Sequence, residues 1–209
     1  MRGISERIRN ATLKGLMFYK RDEYTVKCNW KAYVDNYLEG YHVPIVHPEL
    51  FKLYDFNKYI TETRDWYSFQ HSPIAGGEAL YSKRALTPAT REALYFFIYP
   101  NLMLNILPGR LQTNLVQPVS ATECNVIFDY YYDDITSDKS LALIEEDIRF
   151  SDDVQAEDID ICERVQIGLS SRSYSQGRYS VKRENALYHF HTLLRRAFAR
   201  SLHDDHPHK

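Results

Sequence analysis

The stretch Leu94–Asp133 reads LYFFIYPNLMLNILPGRLQTNLVQPVSATECNVIFDYYYD. Apolar and aromatic runs are separated here by Pro-Asn, Pro-Gly and Pro-Val-Ser, residue types that favour turns. Turns this short join antiparallel neighbours, so the stretch predicts a meander of consecutive strands. The expected strands are Leu94–Tyr99, Leu102–Leu107, Arg110–Gln117 and Glu123–Asp133.

On either side of this meander, the periodicity predicts two more strands and five helices. Residues 75–92 are expected to form a loop. Ser137 is placed to cap the longest helix, which we expect to break near Ser151. The fold class is therefore α+β, one antiparallel sheet with helices packed on one face. The strands are Tyr19–Cys28 and Tyr59–Ser72, and the helices are 4–14, Asn29–His42, Pro48–Tyr54, Asp138–Ser170 and 184–202.

The bulk properties exclude several classes of protein. The 209 residues suit a single domain, 1–209, with a sizeable core. A formal net charge of −2 indicates no attraction to nucleic acid or to an anionic membrane. No apolar run approaches the roughly 20 residues that span a bilayer. Cys28, Cys124 and Cys162 are distant in sequence and odd in number, which argues against a disulfide scaffold and favours a reducing cytoplasm.

Two histidines, His42 and His47, are the most informative pair in the chain, and the carboxylate of Glu39 precedes them. On an unbroken helix their spacing would separate the two side chains by about 140°, too far for both to reach one ion. Pro44 disfavours helix at the residue before it, so we expect the helix to end near His42 and the chain to turn. His47 could then fold back toward the same ion.

A third ligand is expected on the long helix. Asp158 lies within about 60° of the apolar stripe that includes Val154 and Ile161, whereas Glu157 and the other nearby acids point elsewhere. A carboxylate that faces the core is costly unless it is paired or binds a metal. Asp147 falls on the same stripe, so geometry alone leaves two candidates. Two histidines suit zinc, copper or iron, and a carboxylate as third ligand favours iron.

Three motifs together resemble the catalytic domain of Rieske-type non-haem iron oxygenases. These are the ring-hydroxylating oxygenase α subunits, including the branch of choline, glycine-betaine and carnitine monooxygenases. The resemblance implies a helix-grip (Bet v 1-like) fold, a twisted antiparallel sheet around a long C-terminal helix. The motifs are Asn29-Trp30-Lys31 with Asn36-x-x-Glu39-x-Tyr41-His42 and His47-Pro48, then Glu157–Leu169, then Gly177-Arg178-Tyr179-Ser180 with Glu184-Asn185 and Tyr188–His191.

The resemblance implies roles for five residues. His42, His47 and Asp158 would be the Fe(II) ligands, which selects Asp158 over Asp147. Glu39 matches the carboxylate that bridges the iron site to a cluster-ligating histidine of a neighbouring subunit, and it could equally be a local hydrogen-bond partner of His42. Asn36 would lie near the metal. The implied chemistry uses O₂ as co-substrate, with electrons from NAD(P)H that pass through a reductase and an external [2Fe–2S] cluster.

The sequence departs from the family in one respect. A Rieske domain needs Cys-x-His and Cys-x-x-His ligand pairs, and none of the three cysteines is followed by histidine at that spacing. The chain begins roughly where the catalytic domain of the family begins. We expect a truncated coding sequence, a split system with the Rieske domain on another chain, or a protein that has lost oxygenase function. Family members are usually homotrimers, because electrons cross between subunits.

Two functions from different classes remain. The first is an oxygenase catalytic domain, mono- or dioxygenase, that hydroxylates or demethylates a small aromatic or quaternary ammonium substrate and is inactive without a Rieske partner. The second is a non-catalytic helix-grip protein that binds a ligand and retains the metal site. A zinc hydrolase is a weaker third option. The aromatic strand Asp65–His71 could hold a quaternary ammonium by cation–π contact, although such strands are more often plain core.

Overall fold

A seven-stranded antiparallel sheet organises the computed structural model, which describes residues 3–9, 13–75, 81 and 91–204. The spatial strand order is β1-β7-β6-β5-β4-β3-β2, so β2 to β7 form a meander in which each strand pairs with the next, and β1 closes onto β7. The strands are β1 (Met17–Val26), β2 (Ile60–Arg64), β3 (Tyr67–Pro73), β4 (Glu92–Ile98), β5 (Leu102–Leu107), β6 (Arg110–Pro118) and β7 (Cys124–Tyr132).

Six helices accompany the sheet in the part of the chain that the structure describes. The longest is α5, which runs unbroken for 32 residues, and no helix among the described residues is long and apolar enough to cross a membrane. The helices are α1 (Ile4–Arg7), α2 (Trp30–Leu38), α3 (Val43–Val46), α4 (Pro48–Leu53), α5 (Asp138–Leu169) and α6 (Asn185–Asp204), with a 3₁₀ turn at Phe56–Lys58.

The alternation of side chains separates two apolar layers. Every second residue of β7, from Cys124 to Tyr132, is buried on the inner face of the sheet, where α2, α5 and α6 pack. The opposite face carries a smaller cluster in which Phe69 and Phe96 meet Ile4 of α1. The expected α+β class with the main helices on one face is therefore confirmed. The long helix is α5, and α6 follows it along the chain.

The turn between β5 and β6 depends on glycine. Gly109 has φ +69°, a left-handed conformation that L side chains rarely adopt. A Cβ at Gly109 would also lie 2.8 Å from the carboxylate of Asp133. The Pro108-Gly109 turn was therefore a sound boundary between the two strands.

Three predicted elements differ from those in the structure, in addition to the end of α2, which is described with the metal centre. The single strand predicted at Tyr59–Ser72 is a hairpin, because Asp65 and Trp66 turn the chain and β2 pairs with β3 from Ile60↔His71 onward. The break expected near Ser151 is absent, since α5 is continuous, and Ser137 caps it as predicted. The helix predicted at 4–14 covers only Ile4–Arg7 among the described residues, and most of the predicted loop 75–92 lies outside them.

Candidate metal centre

The segment after α2 turns the chain and delivers both histidines. The helix predicted to reach His42 ends at Leu38, where Glu39 adopts an extended backbone with φ −124° and ψ 148°. Its carboxylate Oε2 accepts hydrogen bonds from the backbone N–H groups of Tyr41 at 2.7 Å and His42 at 3.2 Å. The Glu39 side chain therefore satisfies the backbone of the turn that follows it.

Pro44 does not end the helix, and that part of the prediction is wrong. It lies in the first turn of α3, a position where a missing N–H costs nothing. The turn lies earlier, at Gly40, where a Cβ would stand 2.9 Å from the ring of Tyr59. The expectation that His47 folds back toward His42 is nevertheless met, since their ring centroids lie 5.0 Å apart.

His42, His47 and Asp158 converge, with ligand atoms that all lie within 4.8 Å of one another. Asp158 Oδ1 lies 3.0 Å from His47 Nε2 and 3.9 Å from His42 Nε2. Donors that share an ion at about 2.1 Å lie roughly 3 Å apart, so a small inward movement of His42 would complete the set. Two histidines and one carboxylate on one side of an ion leave its other positions open.

A glutamate holds the far nitrogen of each histidine. Glu39 Oε1 lies 2.5 Å from His42 Nδ1, and Glu157 Oε2 lies 2.6 Å from His47 Nδ1. If each Nδ1–H donates to its carboxylate, each Nε2 has the lone pair with which it could bind an ion beside Asp158. Burial opposes protonation of His47, but its contacts with Asp158 and Glu157 outweigh burial and raise its pKa above the ordinary value.

The remaining predicted residue, Asn36, also lies in the centre. It projects from α2, and its Nδ2 donates a hydrogen bond to Asp158 Oδ1 at 2.6 Å. Asp147, the rival candidate on the same stripe, is fully buried and lies elsewhere. Its Oδ2 forms an ion pair of 3.0 Å with Arg110 Nε and accepts a hydrogen bond from Tyr132. Asp147 is thus accounted for without a metal.

A cavity of about 140 Å³ opens beside the metal centre, between the inner face of the sheet and α5. Much of its wall is tyrosine. The ring of Tyr95 stands nearly perpendicular to Tyr37 and Tyr54, with centroids 6.5 Å and 6.1 Å away. Burial raises the pKa of all three, so they are neutral phenols at neutral pH. The aromatic lining consists of Tyr33, Tyr37, Tyr54, Tyr59, Tyr81, Tyr95, Phe128 and Phe150.

The hydroxyls of this wall are engaged with their surroundings. Tyr37 donates to Asn105 Oδ1 at 2.8 Å, and Tyr59 donates to Gln70 Oε1 at 2.7 Å. The hydroxyl groups of Tyr54 and Tyr95 contact each other. These hydrogen bonds hold the rings in fixed positions around the cavity.

Comparison with known proteins shows the family of the chain. Residues 13–200 match the family described as the ring hydroxylating alpha subunit (catalytic domain). The chain belongs to this family. It is 41% identical over 180 residues to choline monooxygenase, chloroplastic, of Arabidopsis thaliana, which covers 86% of this chain and 42% of that protein.

Two further relatives agree. The carnitine monooxygenase oxygenase subunit of Escherichia coli (strain K12) is 30% identical over 180 residues, 81% of this chain and 47% of that one. The crystal structure of the quaternary ammonium Rieske monooxygenase CntA superposes with a TM-score of 0.79 at 26% identity, and covers 92% of this chain and 54% of that chain. The chain thus spans about half the length of the proteins it matches.

Sequence reasoning missed two parts of the site. Glu157 was set aside because its helical phase points away from Asp158, but the segment around His47 wraps over that side of α5 and reaches it. The aromatic wall comes mainly from tyrosines on separate elements, which no local pattern connects. The aromatic strand Asp65–His71 is mostly core, because Tyr67 and Phe69 pack on the outer face.

Proposed function

We propose that the chain is the iron-binding catalytic domain of a Rieske-type monooxygenase that acts on a small quaternary ammonium compound. One observation carries this proposal: the His42, His47 and Asp158 cluster borders the same cavity as a wall of neutral tyrosine rings. The cavity therefore combines a candidate site for an oxygen-activating metal with a surface suited to an organic cation. Domain 1–209 would act as one catalytic unit.

The donor set supports Fe(II) as the metal. Two imidazoles and one carboxylate are typical of non-haem iron oxygenases, and a bound ferrous ion would supply open coordination positions and redox chemistry toward O₂. The role of the chain is positional. Glu39 and Glu157 fix the two imidazole rings through Nδ1, and Asn36 fixes the carboxylate of Asp158.

The wall of the cavity supports a quaternary ammonium substrate over an aromatic one. A cation over tyrosine faces gains about 0.5–2 kcal/mol per contact, depending on how far it is desolvated. Arg110 is the cationic side chain that lines the described cavity, and Asp147 compensates its charge. The relatives named for choline, carnitine and quaternary ammonium compounds are all monooxygenases, which favours monooxygenation over dioxygenation.

Electrons would come from elsewhere. We propose that NAD(P)H, a reductase and a [2Fe–2S] cluster on a Rieske domain or partner chain supply them, and that the chain alone does not turn over with NAD(P)H. The Oε1 of Glu39 already contacts His42, so the same carboxylate could link the metal centre to a cluster ligand of a neighbouring subunit in a homotrimer. Three free, buried cysteines are consistent with a reducing compartment such as the cytoplasm.

The test begins with metal content. The purified chain loaded anaerobically with Fe(II) should bind about one iron per chain, and His42→Ala and Asp158→Ala should abolish tight binding. Asp153→Ala, an exposed acid on the same helix, should bind like the parent. If the ligand variants bind as much iron as the parent, the assignment is wrong.

Oxygen consumption then separates the two functions. With iron bound, choline present and a chemical reductant in place of the missing cluster, the proposal requires O₂ uptake above that of the Asp158→Ala variant. A chain that binds iron and choline but consumes no O₂ above that background would instead support the non-catalytic binding protein.

A further inference from the structure

Two rows of buried polar residues, one on β6 and one on α5, lie on opposite sides of the cavity. Alternate residues of β6 face inward, and residues of α5 one turn apart face them. Two residues of a strand rise roughly 6.6 Å and four residues of a helix rise about 6 Å, so successive facing pairs stay matched. Contacts join Arg110 with Asp147 and Gln112 with Ser151, and the same register places Asn114 opposite Gln155.

The first two pairs are closed. Arg110 Nε lies 3.0 Å from Asp147 Oδ2, and Ser151 Oγ lies 3.5 Å from Gln112 Oε1. The Arg110 guanidinium also donates to Gln112. These contacts join the two pairs across the cavity, although Arg110 Nε makes its ion pair with Asp147 without a hydrogen bond.

The third pair is open. Asn114 is 5% exposed and Gln155 is 2% exposed, yet Asn114 Oδ1 and Gln155 Nε2 have no hydrogen-bond partner among the described residues. Both residues line the cavity. Tyr33 donates to Gln155 Oε1 at 2.7 Å, which fixes the amide and leaves its N–H₂ group free. Leaving such groups unpaired is costly, so the two side chains are suited to bind a small polar group.

We propose that Asn114 and Gln155 form a subsite for a hydroxyl group of the substrate. A hydroxyl can donate to Asn114 Oδ1 and accept from Gln155 Nε2 at the same time. Gln155 lies three residues before Asp158 on α5, a rise of about 4.5 Å, so the subsite lies about one helical turn from the metal centre. This subsite rests on the proposed function and narrows its substrate class to quaternary ammonium alcohols.

Three probes of nearly equal shape test the subsite by calorimetric titration of the full chain at constant metal content. Choline carries both the cation and the hydroxyl, propyltrimethylammonium lacks the hydroxyl, and 3,3-dimethylbutan-1-ol lacks the charge. Two hydrogen bonds predict that the parent prefers choline over propyltrimethylammonium by roughly tenfold or more. Asn114→Leu, which breaks no hydrogen bond recorded for Oδ1, and Gln155→Met should each bring that ratio close to one. Gln117→Met, at the exposed end of β6, should leave it unchanged.

The outcomes separate the subsite from the proposed function. If the parent binds choline and propyltrimethylammonium equally, or if both variants keep the preference while melting like the parent, the pair holds only water and the inference is wrong. Equal binding of choline and 3,3-dimethylbutan-1-ol, with the hydroxyl preference intact, would uphold the subsite and refute the quaternary ammonium substrate. If none of the three probes binds, the inference is overturned, while iron binding is still decided by the metal titration.

Discussion

Replacement of Glu157 should weaken metal binding although Glu157 is not itself a candidate ligand. Its Oε2 lies 2.6 Å from Nδ1 of His47, a ring that is only 1% exposed. Removal of the carboxylate frees that ring to rotate and weakens its donor nitrogen. Loss of such a partner typically costs 10–100-fold in metal affinity. Because the Glu157 side chain is 41% exposed and water can replace part of its hydrogen bond, we expect the lower end, about tenfold, for Glu157→Leu.

Matched variants sharpen this test. Glu157→Gln keeps a neutral acceptor for Nδ1–H and should recover part of the loss. Glu39→Leu should cost more than Glu157→Leu, because Glu39 is 8% exposed and also holds the backbone of the turn. Asp153→Asn, on the exposed side of α5, is the control.

Anaerobic titration with Co(II), followed by its visible absorption, measures the affinities and reports the coordination of the ion. The expected order of dissociation constants is parent and control, then Glu157→Gln, then Glu157→Leu, then Glu39→Leu. A Glu157→Leu variant that binds Co(II) as tightly as the parent, with the same spectrum, would refute the argument that the two glutamates position the ligands.

Three other changes have outcomes that follow from the structure. Arg110→Met should lower the free energy of unfolding, measured in urea, by about 3–5 kcal/mol, because the fully buried carboxylate of Asp147 loses its cationic partner. The double variant with Asp147→Leu should recover much of that loss. Gly109→Ala should cost about 1–2 kcal/mol in the same assay, since φ is +69°, whereas Gly168→Ala should be neutral or stabilising because its Cβ meets open space in α5. Tyr95→Leu should weaken binding of propyltrimethylammonium by roughly 2–30-fold through loss of cation–π contact, measured by calorimetry, without changing iron content.

For each of these variants, one outcome would contradict the prediction. An Arg110→Met variant as stable as the parent would mean that the ion pair between Arg110 and Asp147 does not stabilise the fold. If the two alanine variants have equal stability, the left-handed conformation at Gly109 carries no cost. Equal affinity of Tyr95→Leu and parent would remove the aromatic wall from the binding argument.

Much of the fold was predictable because strand and turn chemistry are local. Alternation and Pro-Gly punctuation placed β4 to β7 within about two residues. The hairpin at Asp65-Trp66 was missed because Asp65 is a single turn-favouring residue without a neighbouring Gly or Pro, and the aromatic pattern continues directly after it. The end of α2 was missed because a side chain, that of Glu39, ends the helix by hydrogen bonding to the following backbone, whereas the obvious sequence signal was Pro44.

The candidate site was predictable to the extent that it depends on helical phase. The apolar stripe of α5 selected Asp158 and Asp147 as candidate ligands. The structure distinguishes the two, because Arg110 forms an ion pair with Asp147. That pairing joins residues distant in sequence, so periodicity could not find it. The role of Glu157 was missed for the same reason, because its partner His47 lies in a different part of the chain.

The continuity of α5 has a consequence for the length of molecule that this cavity can accept. The cavity lining that α5 provides extends from Phe150 to Asp158, which are eight residues apart on one unbroken helix, a distance of about 12 Å. Because the helix is continuous, its rise per residue sets the distance between the metal centre and the other end of the cavity. Selectivity for chain length would then be set along this axis, by substitutions one turn apart, while the metal centre at the other end stays unchanged.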